Sequence, residues 1–143
     1  RQWANDVIAA HPNHKVLLGT HDTLETSTIK RDILNKHDNI VMSNAGHSCA
    51  REVRFKTFGP EGSVAENFVV DYQCDSQETM LLRYYVFKPL EDRVDYYTYS
   101  PIADAFEEDA NSQGSFTVEL RAEIGTAAEV NSWGRVKAMP GER

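Results

Sequence analysis

Apolar positions recur at helical spacing in the first ten residues, where Trp3, Val7 and Ile8 share a face and Pro12 forbids continuation. Residues 15–20 (KVLLGT) form a short apolar run of strand length. Thr26 and Ser27 are good caps for a second helix, with Ile29, Ile33 and Leu34 as its apolar face and His37-Asp38-Asn39 closing it. Residues 39–46 (NIVMSNAG) read as another buried strand. The order α-β-α-β is that of parallel strands with a helix crossing between them.

Beyond residue 50 the period falls to two. In 51–58 (REVRFKTF), Val53 and Phe55 alternate with Glu52, Arg54 and Lys56. GPEG (59–62) is turn chemistry, and 64–73 (VAENFVVDYQ) puts Val64, Phe68, Val70 and Tyr72 on one face. Residues 79–88 (TMLLRYYVFK) are apolar on both faces, as a central strand would be. VDYYTYS (94–100) follows, and SFTVELR (115–121) alternates through Phe116, Val118 and Leu120. The acidic span 102–114 between them reads as a loop. The expected fold class is α/β (α+β), a short α-β-α-β unit followed by an antiparallel meander, with no internal repeat.

The 143 residues fit one domain and can bury roughly two thirds of the surface of the unfolded chain. A net charge of −7, with no run of Lys or Arg, argues against nucleic acid or an anionic membrane as partner. No stretch approaches the ~18 apolar residues of a membrane span, and none reads as a signal peptide. The chain opens inside an amphipathic helix, and Met42, Met80 and Met139 are all internal. This predicts a processed or cut piece.

Chemistry concentrates at two strand ends. His21 directly follows the first strand and His47 the second. A right-handed crossover makes those strands parallel, so both imidazoles arrive at the carboxyl edge, where open α/β sheets bind ligands. Neutral imidazole is a common ligand of zinc, iron and similar ions. The alternative is a pair of hydrogen-bonded structural histidines in strand-to-loop turns. Asp22 adjoins His21 and could assist, but two ligands are too few for a catalytic site. His11, His14 and His37 sit at helix ends, where solvation or pairing with the helix dipole is the better reading. Cys49 and Cys74 fit either one disulfide in an oxidising compartment or two free thiols.

WANDVIAAHPNHKVLLGTHDTL, NIVMSNAGHSCAREVRF, VAENFVVDYQ, LLRYYVFKP and VDYYTYSP occur in an order that resembles the calcineurin-like metallophosphoesterases. The likeness runs from Gln2 to Leu120 and is to the C-terminal half of their catalytic domain, particularly of the secreted bacterial type. It implies half of a four-layer αββα sandwich, with the sheet from Val53 to Tyr99 as one layer and helices outside. It also implies a two-metal centre of Fe, Zn or Mn type that clamps a phosphoester and activates a water for in-line attack. His21 matches the histidine of the fourth motif, and His47 the first histidine of the last motif, Gly-His-x-His. Both would ligate one metal.

The second histidine of that last motif is Cys49 here. A thiolate could ligate metal, or Cys49 could pair with Cys74 and ligate nothing. The early motifs that supply most ligands are absent from the chain, so activity would need an N-terminal half. On this reading residues 1–122 are a C-terminal lobe and 123–143 an extension or linker. Two other readings stay open: a non-catalytic module that keeps the fold, and a mononuclear site of His21, His47 and Cys49 with Asp22.

Overall fold

A computed structural model describes residues 1–21, 27–47, 49, 51–74 and 80–120. The elements are α1 (Gln2–Ala10), β1 (Val16–Thr20), α2 (Ser27–Asp32), β2 (Ile40–Ala45), β3 (Arg51–Phe58), β4 (Val64–Asp71), β5 (Leu82–Lys88), β6 (Arg93–Ser100), β7 (Ala105–Glu107) and β8 (Gln113–Thr117). Short 3₁₀ turns follow α2 and β5. The chain is a mixed α/β protein with two small sheets. Asp22 and Thr26, and the extension read at 123–143, lie outside the described residues.

The first sheet has the order β1-β2-β4-β3. β1 and β4 both run parallel to β2, and β3 is antiparallel to β4. Its register brings Thr20 beside Ala45, so the carboxyl ends of β1 and β2 are level. An irregularity between Val16 and Leu17 leaves Val41 out of the pairing. Val41 and Met42 consequently both join the cluster between the sheets.

One face of this sheet is covered by helices. Ile8, Ile33 and Leu34 pack on Ile40, Ala45, Ala65 and Val69. The face of α1 differs from its periodic reading, because Trp3 is 77% and Val7 41% exposed, while Ala4 and Ile8 face the core. Polar anchors choose that rotation. Asn5 donates to the Asp32 carbonyl and accepts from His37 Nε2 at 2.7 Å, and Asn39 donates to the carbonyls of Ile8 and His11.

The second sheet covers the other face, with Phe68 and Met42 against Val94, Tyr96, Phe116 and Val118. β6 is its central strand. β5 lies along one edge, and β7 and β8 lie end to end along the other, so the span read as an acidic loop contains a strand. β5 is an edge strand and not a central one. Its Arg83 and Tyr85 side chains turn toward the first sheet, while Leu82, Tyr84 and Val86 are exposed on the outer face. The strands expected as one meander therefore divide: β3 and β4 complete the parallel sheet, and β5 to β8 form the second.

A charged network ties the layers. Arg83 Nη2 lies 2.7 Å from Glu52 Oε1, with only 3% and 5% of the two side chains exposed. The same carboxylate accepts from Tyr72 and Thr98, and its other oxygen from the fully buried Ser112 at 2.7 Å. Burial and the Glu52 carboxylate push the Tyr72 phenol well above its ordinary value, so it stays a proton donor.

Acid should loosen the helix side before the rest. Partial burial, then the neighbouring Lys36, lower the pKa of His37, so folding favours its neutral form. Stability from His37 is therefore complete above the free-histidine value of about 6.5 and falls as pH drops from there toward the lower folded value. Asp38 accepts from Ser63 and from the Glu61 amide, and these bonds hold its carboxyl below the usual range. Its contribution is complete above about pH 3.9 and disappears as pH falls through the folded value. Thermal midpoints measured against pH should show two descending steps. His37→Gln, which keeps a donor for Asn5, should flatten only the upper one.

Candidate functional site at the carboxyl edge of the parallel strands

β1 and β2 deliver their following residues to one place. The rings of His21 and His47 are stacked, with centroids 4.5 Å apart and planes inclined by 29°. Two imidazoles side by side can aim one nitrogen each at a common point, as a shared cation requires. Asp22 lies outside the described residues. Among the described residues, no group of three or more His, Cys, Asp or Glu side chains is arranged to hold a metal ion. The pair alone is an incomplete coordination sphere.

The backbone under His47 is held by β4. His47 and Cys49 both adopt left-handed conformations, with φ of 55° and 49°. Such a residue costs roughly 1–2 kcal/mol unless its surroundings determine it. Asp71, buried at the end of β4, determines this one: Oδ2 accepts the Cys49 amide at 2.9 Å and Oδ1 the Gln73 amide at 3.0 Å. A disulfide joins Cys49 to Cys74 with a Cα separation of 5.3 Å, within the range such bridges span. Of the roles open to Cys49, the bond to Cys74 takes its sulfur out of the set of ligands.

Gln73 then touches the histidine itself, with its amide nitrogen 3.2 Å from His47 Nδ1. With that nitrogen donating, the ring proton sits on Nε2. With the amide turned over, Nδ1–H donates to the Gln73 oxygen and Nε2 is free for a metal, the usual arrangement around a ligating histidine. In that second arrangement the pair would offer a divalent ion two donors. Sequence reasoning missed Asp71 and Gln73. Their signal was the DYQC run, in which an Asp accepts the amide two residues on at a strand end.

No family model, curated protein or solved structure matches the chain.

An open cavity of about 440 Å³ lies between the ends of the first sheet and β5, lined in part by Thr20 and Gly46, the residues directly before the two histidines. Gly19, Asn44, Gly46 and Tyr72 line it from the first sheet, and Arg83 and Tyr85 from β5. Tyr85 donates to Asn44 Oδ1 at 2.7 Å across the sheets. Burial pushes the Tyr85 phenol up to about 12, against the pull of the Arg83 charge, so it remains protonated at neutral pH. His11 and His14 contact each other edge to face at 5.3 Å beyond the end of α1, and His37 bonds Asn5. These three stand apart from the stacked pair.

Proposed function

We propose that this chain is the C-terminal lobe of a metal-dependent phosphoesterase of the calcineurin-like class. The observation that carries the reading is the stacking of His21 on His47 at the level ends of adjacent parallel strands. The motif series supplies the class. On this reading the lobe is half of a four-layer αββα sandwich, and an N-terminal half brings the remaining ligands.

His21 and His47 would hold one ion, with Gln73 orienting His47. A divalent pair of Fe, Zn or Mn type supplies charge neutralisation at the phosphate and a nucleophile at neutral pH. The lobe's own part is to fix two imidazoles at the edge and to keep the Cys49 turn in place. The exposed outer face at Leu82, Tyr84 and Val86 supports a missing neighbour. The disulfide is compatible with an extracellular setting, as the secreted type requires. Among the described residues no helix is long and apolar enough to cross a membrane.

Co-expression with the upstream half of the same reading frame should restore hydrolysis of 4-nitrophenyl phosphate, and a chelator should abolish it. His21→Ala and His47→Ala should each weaken zinc binding by at least roughly ten-fold, the low end for even an outer partner of a ligand. Unchanged zinc affinity in both variants would sink the proposal.

The bond between Cys49 and Cys74 favours a second reading, a binding module that keeps the fold without the chemistry. Stoichiometric metal in the assembled protein counts against it.

A further inference from the structure

We propose that the cavity beside the stacked histidines receives the uncharged, ring-bearing leaving portion of the phosphoester. This rests on the phosphoesterase reading and adds a substrate class to it. Its volume of about 440 Å³ lies in the range of small-molecule sites. Val70, Leu81 and Leu82 give it an apolar wall, and Tyr72 and Tyr85 contribute aromatic rings. Flat apolar matter is the natural filling for such a space.

Charge decides what the cavity refuses. Arg83 is the cationic side chain among its lining residues, and the Glu52 carboxylate 2.7 Å away neutralises it. Among the described residues, a phosphate placed there would meet no free positive group. The ring and the phosphate therefore divide, with the ring in the cavity and the phosphate toward His21 and His47.

Asn44 gives the ring an orientation. Its Oδ1 accepts from Tyr85, and its amide N–H groups have no partner among the described residues. Two donors in an aromatic-lined space suit a ring that carries hydrogen-bond acceptors on its edge.

Gly19 makes the proposal testable without harm to the fold. A Cβ added there would meet no atom within 4 Å, and valine suits a strand, so Gly19→Val grows into the cavity. Gly46→Ala narrows the same first-sheet side, its Cβ in ordinary contact with the Val70 carbonyl at 3.5 Å. The probe is 4-methylumbelliferone in its uncharged form, its binding to the 143-residue chain read by fluorescence anisotropy. Glycerol serves as the ringless competitor.

The native chain should bind the probe and glycerol should not displace it. Gly19→Val should weaken binding roughly ten-fold or more and Gly46→Ala less, both with unchanged thermal midpoints. Equal binding by native protein and Gly19→Val, or none by the native chain, overturns the assignment. Zinc-dependent binding of inorganic phosphate, measured with the N-terminal half present, tests the underlying reading separately. It should survive Gly19→Val and be lost in His47→Ala. Its absence from the native assembly overturns the phosphoesterase reading, and with it the identity of the ring as a leaving group.

Discussion

Glu52→Ala should cost about 3–5 kcal/mol of folding stability, the usual penalty for removing one partner of a buried ion pair. The reason is what remains behind. Arg83, with 3% of its side chain exposed, would keep its charge at the sheet interface with no carboxylate opposite. Tyr72, Thr98 and Ser112 would lose their common acceptor as well. Urea denaturation should show a lower midpoint with an unchanged slope. The double variant Glu52→Leu with Arg83→Met should recover much of the loss, because exchanging both charges for apolar groups of similar volume is often neutral or better. A single variant as stable as the native chain would show that the pair contributes nothing net. A double variant as unstable as the single would show that the hydrogen bonds, and not the charge, carry the cost.

Loss of the Cys49–Cys74 bond should lower stability by about 3.5 kcal/mol, the loop-entropy value for residues 25 apart. Two routes test it. Native protein should unfold at a lower denaturant concentration with reductant than without, and the double variant Cys49→Ser, Cys74→Ser should match the reduced protein. The bond also helps Asp71 hold the left-handed turn of His47 and Cys49. Hydrogen exchange at the Cys49 and Gln73 amides should therefore accelerate on reduction more than exchange in β6 does. Equal midpoints with and without reductant would refute the stabilising role.

Much of the helix-covered half could be read in the sequence, because its information is local. Pro12 ends α1 within a residue or two of where periodicity put it, and the apolar runs at 15–20 and 39–46 became β1 and β2. Two parallel strands dictate a common carboxyl edge, so the meeting of His21 and His47 followed from topology. What failed was everything that depends on a neighbouring layer. Residues 82–88 are apolar on both faces, which fits a central strand and an edge strand with an uncovered face equally well. Trp3 and Val7 satisfied helical spacing, yet Asn5 and its partners on another element set the rotation of α1.

The supports of the candidate site were hidden for the same reason. Asp71 acts on residues 22 positions earlier in the chain, and Glu52 meets Arg83 from a different sheet. Alternation marked Glu52 as polar and outward from Val53. In a sandwich, outward from one cluster is inward to the next, and a charge there needs a partner that spacing does not reveal.

β1 pairs with β2 on one side and with no described strand on the other. The first sheet is thus extensible. A strand laid along β1 in the same direction would place its own terminal side chains in line with His21 and His47, because every parallel strand ends on that side. The equipment of the edge would grow by one position per added strand, while the turn beneath His47 stayed as it is. Such a strand would lengthen the sheet while leaving the pairing of β1 with β2 as it is.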